Sequence, residues 1–123
     1  MPTKSDLIRS YFTAYTTRDR KVLEDAFADD FTFTSPYDDA IDKAAYFERC
    51  WPISTSGRMV SNEIERIFEQ GAAAFVTYRV VTNAGEEFRN TEFFMFENDR
   101  VKSIDVYFGA SYRNGKFMAQ KQS

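Results

Sequence analysis

Four runs rich in β-branched and aromatic residues follow one another through the second half of this chain, at 59–68, 72–82, 86–96 and 101–108. Their separators, Glu69-Gln70-Gly71, Asn83-Ala84-Gly85 and Glu97-Asn98-Asp99-Arg100, have the length and residue types of hairpin connections. Consecutive strands joined this tightly pair antiparallel, so the second half reads as one meander.

The first half has a helical period. Ser5 precedes Ile8, Tyr11, Phe12 and Tyr15 at three-to-four-residue spacing, an amphipathic helix with Ser5 as its N-cap. Thr16-Thr17-Arg18-Asp19 breaks it, and Asp19 caps a second short helix that turns Val22, Leu23, Ala26 and Phe27 inward. Ala28-Asp29-Asp30 ends that helix, and Phe31-Thr32-Phe33-Thr34 alternates as a strand. Ser35-Pro36-Tyr37-Asp38-Asp39 reads as a turn-rich loop with Asp38 and Asp39 solvated. Asp42 is the expected N-cap of a third helix through Ala45, Tyr46, Phe47 and Cys50, stopped by Trp51-Pro52. Ser54-Thr55-Ser56-Gly57 reads as a polar loop and the tail after Gly109 as frayed. Helices followed by a meander give an α+β fold, one domain over residues 1–123, with the helices on one sheet face.

Within the strand Thr91-Glu92-Phe93-Phe94-Met95-Phe96 a single acid sits among apolar side chains on both parities. An ionised carboxylate is costly to bury, so Glu92 must be paired, protonated, exposed or functional. Histidine is absent, which removes Ser-His-Asp and Cys-His catalysis and His-ligated zinc. The lone Cys50 excludes an intrachain disulfide and a cysteine-cluster metal site, and points to a reducing cytoplasm. No cofactor or metal is expected. A net charge of −3 with scattered basic residues argues against nucleic acid. No segment approaches a membrane span or a signal h-region.

The helix-free sheet face, under the parity chosen here, carries Phe75, Thr77, Arg79, Phe93, Met95, Asp105 and Tyr107. That set is too apolar for water, so a homodimer through the outer sheet face is expected, with Asp105 paired to Arg79.

The order helix, short helix, "ADDFTFTSP", helix and four-stranded meander ending "NDRVKSIDVYFG" resembles the nuclear transport factor 2-like superfamily, closest to its SnoaL-like and ketosteroid-isomerase-like members. The resemblance runs from about Leu7 to Gly109. It implies a cone: a curved, largely antiparallel (mixed) sheet wrapped around three N-terminal helices, with a pocket at the open end. It also places Tyr11 where ketosteroid isomerases keep a tyrosine oxyanion donor, and Glu92 where they keep a protonated acid; that protonated acid is a worked case of carboxyl pKa tuning. The aspartate base that those enzymes hold before the first-strand proline is Ser35 here. Asp38 or Asp39 substitutes only if the loop folds back. Scytalone-dehydratase-like catalysis lacks its histidines, and the arginine of limonene-epoxide-hydrolase-like sites is replaced by Asn90.

The implied pocket has Glu92 and Tyr11 as candidate catalytic residues. Its candidate walls are Tyr15, Phe47, Trp51, Arg66, Tyr78, Phe88, Ile104, Val106 and Phe108. Two functions fit: a cofactorless isomerase, lyase or hydrolase acting on a small apolar carbonyl compound, or a non-catalytic hydrophobic-ligand-binding or dimerisation module.

Overall fold

In the computed structural model, residues 3–52, 56–57 and 59–117 are described. Helix α1 (Lys4–Thr17) opens with a capping box in which the Thr3 hydroxyl accepts from the Asp6 amide and the Asp6 carboxylate accepts from the Thr3 amide. Thr3, not Ser5, is therefore the cap. Ser5 lies in the first turn, where its amide and hydroxyl both donate to Glu69 of the sheet. Arg18, in the left-handed region at φ 62°, ends the helix.

Helix α2 (Arg20–Ala26) leads directly into strand β1 (Phe27–Ser35), four residues earlier than the sequence suggested. Its burial runs in pairs, Phe27 and Ala28 in, Asp29 and Asp30 out, because the register shifts between Phe27 and Thr32. A bulge of that kind erases the two-residue period by which a strand is recognised. Strand β2 (Asp38–Asp42) pairs back on β1 where a loop was expected, and helix α3 (Lys43–Arg49) starts at Asp42, whose carboxylate accepts from the Ala45 amide at 2.9 Å.

The meander is present as β3 (Met59–Gln70), β4 (Ala73–Thr82), β5 (Glu87–Glu97) and β6 (Arg100–Phe108). The sheet order is β2-β1-β6-β5-β4-β3, antiparallel except for the β1–β6 pair. The chain after Gly109 is ordered through Phe117 as a hairpin, β7 (Tyr112–Arg113) and β8 (Lys116–Phe117), with Tyr112 paired to Glu87 of β5. This corrects the frayed tail. Ser54, Thr55 and residues 118–123 lie outside the described residues.

The result is a curved, unclosed mixed sheet around α1, α2 and α3, the α+β cone. Ile8, Leu23, Phe27, Phe31, Phe94 and Val101 are sealed between helices and sheet. Each such side chain contributes about 1.5–3 kcal/mol relative to exposure. The Phe27 and Phe31 rings stack at 4.2 Å, and Tyr46 packs edge-on against both. No helix among the described residues is long and apolar enough to cross a membrane.

On the outer face, Phe68, Phe75 and Phe93 stand opposite one another across β3, β4 and β5, with Phe75 and Phe93 rings 4.7 Å apart. Phe68 is 69% and Phe75 47% exposed, so the apolar row faces water in the single chain. Arg79 pairs with Glu87 rather than with Asp105. The register explains the difference: Glu87 faces Val81, one diagonal step from Arg79, while Asp105 faces Phe93 one strand further away.

Candidate functional site

Asn90, Glu92, Phe94 and Phe96 share the inner parity of β5. Phe94 and Phe96 close the core, so the two polar residues before them lie where the inner face leaves the sealed interior. On β4, Tyr78 stands opposite Asn90, one diagonal step from Glu92. Tyr78 Oη donates to Glu92 Oε2 at 2.5 Å, Asn90 Nδ2 donates to Tyr78 Oη at 3.3 Å, and the Gly109 amide donates to Asn90 Oδ1 at 3.1 Å. A side chain at Gly109 would overlap the Arg89 carbonyl, so glycine lets β6 come this close to β5. From α1, the Phe12 ring meets Tyr78 edge-on at 4.7 Å, and Tyr15 leans on Trp51 at 5.2 Å.

Glu92 retains partial solvent exposure as a residue, but its carboxyl group lies deep among protein atoms. That burial pushes its pKa from 4.5 up to about 7, against the opposing pull of the Tyr78 hydrogen bond. Burial, and then the Glu92 charge, hold the Tyr15 and Tyr78 phenols well above their ordinary value, so both remain proton donors. The Cys50 thiol is pushed up to about 11 by burial and by Asp38, with Glu92 adding in the same direction. Glu92, Tyr78, Tyr15 and Cys50 thus share one neighbourhood, built by β5, β4, α1 and the end of α3.

Tyr11 does not join it. Its ring stacks on Phe94 at 6.2 Å and meets Phe27 edge-on, and its hydroxyl is buried without a partner among the described residues. Burial, with Asp99 of the β5–β6 turn behind it, raises that phenol to about 12. Four residues along a helix advance about 6 Å. That step separates Tyr11, in the core, from Tyr15, beside Trp51.

Arg66 also leaves the expected set. The register slips between Ile64 and Arg66, so Arg66 faces Thr77 on the outer side and is exposed. Phe47 and Ile104 belong to the core, Phe47 against Phe27, Tyr46 and Trp51, and Ile104 opposite Phe94 and Phe33. Val106 is buried opposite Glu92. Phe88 is half-buried opposite Val80, and Phe108 is 44% exposed at the rim, 5.5 Å from Tyr37. Among the surface hollows of the described residues, one of about 590 Å³ runs along Thr34–Pro36 and Asp105–Phe108, and another of about 460 Å³ lies between α2 and α3 beside Phe47. Neither is lined by Glu92.

Two site residues went unassigned from the sequence, Phe12 and Asn90, and Asp38 was assigned to a solvated turn. Asn90 had a signal, since it lies two residues before Glu92 on the same strand face. Asp38 is not a solvated turn residue. The loop does fold back: Ser35 faces Asp38 in the β1–β2 register, Ser35 Oγ donates to Asp38 Oδ2 at 3.0 Å, and Arg49 Nη2 lies 2.8 Å from Asp38 Oδ1. Its side chain is only 8% exposed, whereas Asp39 is exposed. Among the described residues, no group of three or more Cys, Asp or Glu side chains is arranged to hold a metal ion.

Over residues 8–104 the sequence matches the SnoaL-like domain. The chain belongs to the SnoaL-like family. Similar folds include IdmH of Streptomyces antibioticus, a candidate polyketide cyclase (TM-score 0.74, 14% identity, covering 85% of this chain and 90% of that one). A candidate ketosteroid isomerase from Kribbella flavida superposes with TM-score 0.71 at 16% identity, covering 87% of this chain and 78% of that one. A candidate polyketide cyclase from Sinorhizobium meliloti gives TM-score 0.68 at 21% identity, covering 83% and 94%. At these identities the likeness shows the fold alone. No protein of curated description matches the sequence.

Proposed function

We propose that this SnoaL-like protein is a cofactorless acid–base enzyme, of isomerase, cyclase or lyase type, acting on a small apolar carbonyl compound. One observation carries the reading: a carboxyl group held near pH 7, with one oxygen engaged by Tyr78 and the other outside any hydrogen bond among the described residues. A base of that affinity takes a proton from a carbon next to a carbonyl and returns it at neutral pH. Tyr15, kept protonated and engaged in no described hydrogen bond, is the donor suited to the developing enolate oxygen. This moves the oxyanion role from Tyr11 to Tyr15. Tyr78 is committed to Glu92 and serves to hold it. Phe12, Trp51 and Val106 supply the apolar surround.

The cyclase and isomerase names of similar structures support the reaction class without fixing a substrate. The alternative, a non-catalytic ligand-binding or dimerisation module, draws on a pair of surface hollows that form away from Glu92. Glu92→Gln separates the two. Proton exchange at the α-carbon of a bound cyclic ketone, followed by deuterium incorporation, should fall at least about 100-fold with ketone affinity preserved. Equal exchange by both proteins would leave only the binding module. The Phe68–Phe75–Phe93 row, exposed at Phe68 and Phe75, supports self-association through the outer face as part of the same proposal.

A further inference from the structure

A backbone N–H can only donate a hydrogen bond, and this fixes more of the site than the main chain. The Gly109 amide lies 3.1 Å from one end of the Asn90 side chain, which must therefore be its oxygen, Oδ1. The other end, Nδ2, faces Tyr78 Oη at 3.3 Å and can only donate, so the phenol oxygen accepts. The hydrogen of Tyr78 is then left for Glu92 Oε2, 2.5 Å away. Three bond directions descend from one main-chain amide.

We propose that Asn90, anchored by the Gly109 amide, is a positioning residue that sets the direction of the Tyr78–Glu92 hydrogen bond. Glu92 Oε2 is thereby held as an acceptor, and Oε1 becomes the oxygen that takes up and releases the proton. Asn90 touches neither substrate nor reacting atom in this scheme; it acts through Tyr78. It is itself only 8% exposed, so water does not replace it cheaply as a donor. The inference rests on the acid–base reading of Glu92 and deepens it by naming the reactive oxygen.

The other groups that face Glu92 leave this polarity to Asn90. Tyr78 on β4, Tyr15 on α1 and Cys50 after α3 are weak acids with raised pKa values, and β6 offers Val106 opposite Glu92. Asp38, which bears on the Cys50 thiol, is held by Ser35 and Arg49. Without Asn90 the phenol is free to reverse. A protonated Glu92 then donates Oε2–H to Tyr78, which favours the acid form and moves the proton to the wrong oxygen.

The test follows the Glu92 carboxyl carbon by NMR across pH in ¹³C-glutamate-labelled protein, for wild type, Asn90→Leu, Tyr78→Phe and the double variant. Asn90→Leu should raise the Glu92 midpoint by about 0.5–1 pH unit, a roughly 3- to 10-fold gain in proton affinity. In the Tyr78→Phe background the same substitution should leave the midpoint unmoved. A filler role for Asn90 would lower the melting temperature without moving the midpoint, and that result overturns the proposal; so does a shift that persists without Tyr78. A wild-type midpoint near 4.5 overturns both this and the acid–base reading. A midpoint near 7 that ignores Asn90→Leu overturns only the positioning role. If Asn90→Leu does not fold, the wild-type protein decides. The Tyr78 hydroxyl proton should show a nuclear Overhauser contact to the Asn90 side-chain amide above and below the Glu92 midpoint. Loss of that contact at either pH sinks the proposal.

Discussion

Replacing Glu92 by glutamine keeps the side-chain shape and an acceptor for Tyr78 but removes the titration. Glu92 titrates near 4.5 in an unfolded chain and at about 7 in the fold. The folded state therefore binds the proton more tightly, the reverse of a salt-bridged carboxylate. Its contribution to stability is fully present below about pH 4.5 and is lost as pH rises through 7. The gap between the two values corresponds to roughly 3 kcal/mol by pH 8.5. Urea unfolding of wild type and Glu92→Gln at pH 5, 6, 7 and 8.5 isolates this term, because other titrating groups cancel in the difference. Wild type minus variant should fall by about 2–3 kcal/mol from pH 5 to pH 8.5. A flat difference, or one that rises with pH, would show an ionised, well-satisfied carboxylate and refute the reasoning.

Tyr11→Phe should be neutral or stabilise the fold by up to about 1 kcal/mol in urea unfolding, since it removes a buried hydroxyl with no partner among the described residues. A loss of more than about 1 kcal/mol would mean the hydroxyl is satisfied. Gly109→Ala should cost about 1–3 kcal/mol, because the new methyl meets the Arg89 carbonyl, a backbone atom that cannot swing aside. Phe75→Glu, which places a charge in the exposed aromatic row, should shift a sedimentation profile to the monomer. An unchanged sedimentation coefficient would place self-association elsewhere or exclude it.

The meander was legible because its four runs of strand-forming residues are set off by short turns, and α3 because Asp42 makes the cap its residue type suggests. The losses fall where the chain breaks its own period. Bulges hid the start of β1 and turned Arg66 to the outer face, and parity counting carries no sign of a slipped register. Asp38 was hidden differently. A Pro-Tyr-Asp-Asp turn reads as solvated, and only the β1–β2 pairing brings Arg49 and Ser35 onto the carboxylate. At the site, Glu92 stood out as an acid in a phenylalanine-rich strand. Its partner did not, since Tyr11, Tyr15 and Tyr78 are equivalent as residue types and only helix rise and cross-strand register choose among them. Asn90 was visible merely as a missing arginine, while its role depends on an amide nineteen residues away in sequence.

The most direct measurement is the titration of the Glu92 carboxyl carbon in the wild-type protein, assigned by its disappearance in Glu92→Gln. A midpoint close to 7 is expected from a carboxyl group buried against Tyr78 with one oxygen outside any described hydrogen bond. A midpoint at or below 4.5 would show a solvated or ion-paired carboxylate, and the proposed acid–base site would have no acid.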